Sequence, residues 1–184
     1  MDLGLLQFEK VDRALLEALR EGLAEAFDPI FSEIFIIEKS ANIPENSYSS
    51  VRGQYSASRF LQAVRRHANE NHYARILGIT ALDLYTPRLN FVFGIAESDL
   101  QAKAAVISLH RLAPEFWGQY PDPALFPLRV IKESIHELGH TFGLPHCANH
   151  CIMRFSNSIL DTDWKPATFC GACRQKISTH SHSR

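Results

Sequence analysis

The stretch from residue 136 to residue 146 reads HELGHTFGLPH, and it holds three histidines, His136, His140 and His146. Residues four apart lie on the same face of a helix, so the first two histidines can bind one metal ion. Gly143 can adopt the left-handed conformation that ends a helix, and this turn brings the third histidine back to the same ion. Three nitrogen ligands leave the fourth position of a tetrahedral zinc open, which is typical of a catalytic rather than a structural site.

Glu137 follows the first of these histidines directly. This position places its carboxylate beside the metal without making it a ligand, and there it can take a proton from metal-bound water. The alternative is an amphipathic helix with surface histidines and no metal. Zinc is preferred for an all-imidazole set, although iron, cobalt or manganese could occupy it in vitro.

Four cysteines lie close together near the C-terminus: Cys147, Cys151, Cys170 and Cys173. They form a C-x3-C and a C-x2-C pair separated by eighteen residues, close to the spacing of zinc ribbons, and this predicts a second, structural zinc. Such a site would stabilise residues 143–177, where helical periodicity is lost. Disulfide bonds are the alternative, but a disulfide framework is expected to spread over a fold rather than to cluster in one segment.

The motif HExxHxxGxxH, with these cysteines and Met153 after it, resembles the metzincin zinc peptidases and, within them, the archaemetzincins. The resemblance covers residues 136–173, about a fifth of the chain. It implies a compact metzincin-like domain in which the methionine turn forms an apolar floor below the zinc ligands without binding the metal. The first cysteine gap is one residue shorter than in the family, which leaves open whether His150 replaces a cysteine.

The resemblance implies a zinc-dependent metallopeptidase that hydrolyses peptide bonds by attack of a zinc-bound water activated by Glu137. Some metzincins carry a tyrosine two residues after the turn methionine; here Phe155 stands there, so a second oxyanion stabiliser must come from elsewhere. Two alternatives stay open, namely a non-catalytic zinc-organised protein-interaction module and a zinc amide hydrolase with a non-peptide substrate. The intact base argues against the first.

The composition favours one globular domain. The chain has 184 residues, 46% of them hydrophobic and 21% charged, and a net charge of −1. Without a basic surface we expect no nucleic-acid partner, and without an apolar run of about 18 residues we expect no membrane span. The N-terminus lacks a signal-peptide pattern, which favours a cytoplasmic protein. We expect a monomer that acts on a peptide or protein substrate.

Apolar periodicity predicts an α/β (α+β) fold, with a mixed twisted sheet and helices packed on it. The strands are predicted at residues 3–8, 30–38, 75–80, 90–96 and 103–109, and the helices at 11–27, 57–69, 127–142 and near 171. Residues 40–56 are predicted to form a loop, and Pro127 is expected at the first position of its helix. One of the runs 91–96 and 104–109 is expected to form the sheet edge that aligns a peptide.

These elements predict a single domain over residues 1–177. Residues 1–142 form its sheet and helix part, which ends in the active-site helix, and residues 143–177 form the zinc-stabilised C-terminal part. Residues 178–184 have nothing apolar to bury, so we expect them to be a disordered tail.

Overall fold

The computed structural model describes residues 1–99 and 101–181. Its strands are β1 (Asp2–Gln7), β2 (Glu33–Ile37), β3 (Tyr48–Ser49), β4 (Gln54–Ser56), β5 (Arg75–Thr80), β6 (Leu84–Tyr85), β7 (Gly94–Ala96) and β8 (Ala104–Ser108). Its α-helices are α1 (Arg13–Phe27), α2 (Ala57–Glu70), α3 (Leu125–Thr141), α4 (Ile159–Trp164) and α5 (Gly171–Ser181), and a short 3-10 helix spans Pro114–Trp117.

The main sheet has five strands in the order β2-β1-β5-β8-β7. The first four are parallel, and β7 pairs antiparallel with β8 at one edge. Strands β5 and β8 are buried along their whole length, as expected where helices cover both faces of a parallel sheet. Helices α1 and α3 pack on one face and α2 on the other, so the mixed α/β prediction is confirmed.

Two local predictions differ from the structure. The predicted loop 40–56 contains β3 and β4, which form a small second sheet with β6. Strands of two or three residues are too short to produce an alternating pattern, so sequence periodicity cannot detect them. Helix α3 begins two residues earlier than predicted, at Leu125, so Pro127 occupies its third position rather than its first. The N–H groups of a helix's first turn have no partner within the helix, so a proline is tolerated there as well.

The C-terminal part contains more helix than its sequence suggested. Helix α4 was not predicted; it begins with a capping box, in which the side chains of Ser158 and Asp161 each bind a backbone N–H of the other residue. Helix α5, expected near residue 171, is anchored by the fully buried Ile177. It continues to Ser181, through the first four residues of the predicted disordered tail, whereas residues 182–184 lie outside the described part.

Within the described residues, no helix has both the length and the apolar character needed to cross a membrane.

Candidate active site and metal centres

The first two histidines lie on one face of α3. The Nδ1 atom of His136 lies 2.9 Å from the carbonyl oxygen of Ile152, and that of His140 lies 2.7 Å from the carbonyl oxygen of Leu144. A carbonyl can only accept, so both Nδ1 atoms carry the proton, and both Nε2 atoms present a lone pair. These Nε2 atoms are 3.1 Å apart. Two lone pairs repel each other at this distance unless a cation lies between them.

The third histidine is brought to the same place by the chain reversal after α3. Gly143 has a φ of +76°, a conformation that residues with a side chain rarely adopt. His146 follows, and one ring nitrogen from each of the three histidines lies within 4.8 Å of the others. A tetrahedral zinc with ligands at about 2.0–2.1 Å requires nitrogens about 3.3–3.4 Å apart. The three imidazoles therefore fit a zinc ion.

The protonation states also suit metal binding. Burial lowers the pKa of His136 well below its usual value, and lowers those of His140 and His146 to a smaller extent. The ammonium of Lys165 lowers all three further. All three rings are consequently neutral at pH 7, the state in which imidazole binds a metal.

Glu137 is buried between α3 and the edge strand β7. Burial raises the pKa of its carboxyl well above the usual value, Glu133 raises it further, and Lys165 opposes them. Gly94 makes this placement possible, since a Cβ on that residue would lie 2.6 Å from Cγ of Glu137. This contact joins two distant segments, so no local sequence pattern indicates the role of Gly94.

Met153 and Phe155 make different contacts near the histidines. Met153 is fully buried below α3, and a Cβ on Gly139 would lie 2.4 Å from its sulfur atom, so the helix approaches the methionine closely only because residue 139 is a glycine. Phe155 is partly exposed, and its ring packs on His146 with centroids 4.8 Å apart. Its apolar ring supplies no hydrogen-bond donor to the site.

The four cysteines come together next to the histidines. All are free thiols whose sulfur atoms lie within 4.8 Å of one another, and the sulfurs of Cys147 and Cys170 are 3.8 Å apart. A tetrahedral zinc with Zn–S bonds of about 2.3 Å requires sulfurs about 3.8 Å apart. His150 does not belong to the group, and its ring packs on Trp164 instead. The cluster therefore fits a four-thiolate zinc.

One of these thiols, that of Cys170, ionises more readily than an ordinary cysteine thiol. The backbone N–H of Cys173, then the side chain of Asn149, lower the pKa of Cys170 to about 6. Cys170 directly precedes α5, where the backbone N–H groups have no partner within the helix and favour a negative charge. By contrast, burial raises the pKa of Cys151. A bound cation would offset this cost by stabilising the thiolate.

A cavity of about 410 Å³ opens in front of the three histidines. It is lined by residues between Thr86 and the end of β7 and by the segment that starts at Phe155. Lys165 and Glu133, whose side chains are almost fully buried, line it as well. Neither of these two was singled out from the sequence. Glu133 lies one helical turn before Glu137 on the same face, and this spacing is a signal that could have identified it.

Comparisons with known proteins agree with this geometry. The model of peptidase family M54 matches residues 35–179. The archaemetzincin of Methanopyrus kandleri is 43% identical over 164 residues, which cover 89% of this chain and 88% of that protein. The archaemetzincin of Pyrococcus furiosus is 47% identical over 133 residues, covering 72% and 68%.

Solved structures show the same fold. The crystal structure of the M. kandleri archaemetzincin has a TM-score of 0.83 at 40% identity and covers 98% of this chain and 94% of its own. That of the Archaeoglobus fulgidus archaemetzincin, complexed with malonate, has a TM-score of 0.80 at 35% identity and covers 96% and 99%. The chain belongs to peptidase family M54 and is a zinc metallopeptidase similar to the archaemetzincins.

Proposed function

We propose that this protein hydrolyses peptide bonds at a zinc held by His136, His140 and His146, with Glu137 as general base. One observation carries the proposal. Unprotonated nitrogens of the three imidazoles come together beside the buried carboxylate of Glu137, and all these residues line an open cavity. A zinc in this place supplies a Lewis acid, which polarises a carbonyl and acidifies water.

The residues of the chain perform the proton transfers in this proposal. Glu137 takes the proton of the attacking water and passes it to the leaving amine. Its raised pKa suits both steps, because a carboxyl that titrates closer to neutrality accepts a proton more readily than an exposed one. The backbone carbonyls of Ile152 and Leu144 keep two of the imidazoles in the required tautomer.

Strand β7 is the proposed alignment site for the substrate. Of the two runs considered from the sequence, 104–109 falls in the sheet interior as β8, whereas 91–96 contains the edge strand β7. Its residues line the cavity together with those of α3. An extended peptide can add to such an edge through backbone hydrogen bonds, so side chains of the substrate would enter the cavity.

We further propose that Cys147, Cys151, Cys170 and Cys173 hold a second, structural zinc, which makes two zinc ions per chain. The cluster joins the segment after His146 to the start of α5, and so supports the turn that positions the third histidine. Free thiols also favour a reducing, cytoplasmic location.

The test is digestion of a peptide library by the native protein, by the metal-free protein and by Glu137→Ala, with zinc measured by elemental analysis. We expect Glu137→Ala to keep its zinc and to lose hydrolysis by at least about 100-fold, the usual contribution of a general base. Cleavage at the parental rate would overturn the assignment. A native protein that binds zinc but cleaves no peptide would favour a non-peptide amide substrate or an interaction module.

A further inference from the structure

Lys165 is a buried cation that lines the active-site cavity, and the reaction proposed above does not use it. We propose that its ammonium and the hydroxyl of Ser156 bind a carboxylate of the substrate, so that the enzyme prefers peptides with an acidic group near the cleaved bond. The carboxylate belongs to an aspartate or glutamate side chain or to the C-terminus of a short peptide. This inference rests on the proposed peptidase function and names its substrate class.

The backbone around Lys165 is held rigidly against α3. The guanidinium of Arg129, which is 1% exposed, makes two hydrogen bonds of 2.7 and 2.8 Å to the carboxylate of Asp163. The ammonium of Lys132 donates to the backbone carbonyls of Thr162 and Asp163. These contacts fix the last turn of α4, and Lys165 follows directly after it, so its side chain enters the cavity from a fixed origin.

The ammonium of Lys165 makes fewer hydrogen bonds than it has donors. Its side chain is 1% exposed, and its one hydrogen bond among the described residues goes to Glu133, with an Nζ to Oε2 distance of 3.5 Å. A charge-assisted hydrogen bond normally measures about 2.7–2.9 Å, and an ammonium has three donors. A buried cation with one long contact is costly, and this cost favours a ligand that supplies more acceptor atoms.

Ser156 supplies the second donor. Its Oγ is buried and has no hydrogen-bond partner within the described part of the chain, although nearly all buried hydroxyls have one. The residue lines the same cavity as Lys165 and the histidines. A hydroxyl donor and an ammonium donor that line the same cavity complement a group that only accepts, and a carboxylate is the common peptide group of this kind.

Glu133 sets the strength of this preference. Its carboxylate already occupies one side of the ammonium, so it competes with a substrate carboxylate for the same charge. Removing the charge of Glu133 should therefore strengthen the preference for acidic peptides, whereas removing both charges should abolish it. These opposite effects distinguish a carboxylate site from a pair that only stabilises the fold.

The experiment uses the zinc-loaded protein and two sets of matched peptides. One set differs by Glu or Gln next to the cleaved bond, and the other by a free or an amidated C-terminus, so the two sets separate the two sources of the carboxylate. We measure kcat/KM for each peptide, and the binding of each to the metal-free protein by calorimetry. We expect the native protein to prefer the acidic member of at least one pair by about tenfold, as for one charged hydrogen bond.

Three variants complete the test. We expect Glu133→Gln to raise the preference by threefold or more, and the double variant Glu133→Gln with Lys165→Met to reduce it to about one. The matched control is Lys103→Met, which removes another partly buried ammonium from a residue that does not line the cavity and is not one of those that hold α4 against α3. Its preference should stay that of the native protein even if its stability falls.

Several results would overturn the inference. These are an equal rate for both members of every pair, a preference for the neutral or a cationic peptide, or a preference that persists in the double variant. If the double variant does not fold, a lowered preference in Glu133→Gln is sufficient to refute it. If no peptide is cleaved but the metal-free protein still binds the acidic member more tightly, the peptidase proposal fails and the carboxylate site stands.

Discussion

Replacement of Gly94 by alanine tests whether the position of Glu137 limits the reaction. A Cβ at residue 94 would lie 2.6 Å from Cγ of Glu137 and 2.9 Å from the backbone oxygen of Val106. Carbon atoms in contact are normally about 3.5–4.0 Å apart, so the two groups must separate by about 1 Å. Pairing with β8 holds strand β7, so the side chain of Glu137 must make most of the movement, and the approach to Val106 requires a smaller shift of the strand itself.

The size of the effect follows from that displacement. Misplacing a reacting group by about 1 Å costs about 100-fold in rate, and we expect kcat/KM of Gly94→Ala to fall by this factor. Crowding a packed site should also lower the free energy of unfolding by about 1–3 kcal/mol. The atoms nearest to the new methyl group belong to Glu137 and Val106 rather than to a histidine, so we expect the zinc content not to change.

The assay combines peptide hydrolysis, zinc analysis and urea unfolding. Gly171→Ala is the matched control, because a Cβ at that glycine meets no atom within 4 Å. The reasoning is refuted if Gly94→Ala cleaves within about twofold of the native rate, well inside the loss expected for a shift of that size. Loss of zinc from Gly94→Ala would equally refute it, because the metal site rather than the base would then have changed.

Two further predictions concern the metal sites and the buried base. Mild chelation should remove the zinc of the open histidine site and abolish hydrolysis. The variant Cys170→Ser should lose the other zinc and unfold at a lower temperature. Elemental analysis measures the zinc content in both cases, and thermal melting measures the change in stability. In the metal-free protein, Glu137→Gln should increase stability at pH 8 and have less effect at pH 4.5. The folded-state pKa of Glu137 is raised, so the stability that this carboxyl contributes is present below about pH 4.5 and is lost as the pH rises through the folded-state pKa. Urea unfolding at the two pH values gives the comparison, and an equal effect at both would contradict the raised pKa.

Much of the local structure followed from residue patterns. The long helices and central strands were predicted because their apolar residues recur with a regular period over many positions. The short strands β3, β4 and β6 and the six-residue helix α4 were missed, since elements of this length contain too few residues to show a period. Their positions depend on contacts with other segments, for example those of Arg129 and Lys132 with the end of α4.

The spacing of residues along the chain is sufficient to predict the metal-binding chemistry. Three histidines, a glutamate and a glycine lie within eleven residues, and helix geometry alone brings two of the histidines and the glutamate together. The surroundings of these residues depend instead on contacts between distant segments. Gly94, Ser156 and Lys165 reach the site from segments that are distant in sequence, so no spacing along the chain could relate them to Glu137. Their placement depends on how the sheet edge and α4 pack on α3, and that packing is a property of the whole core rather than of any local pattern.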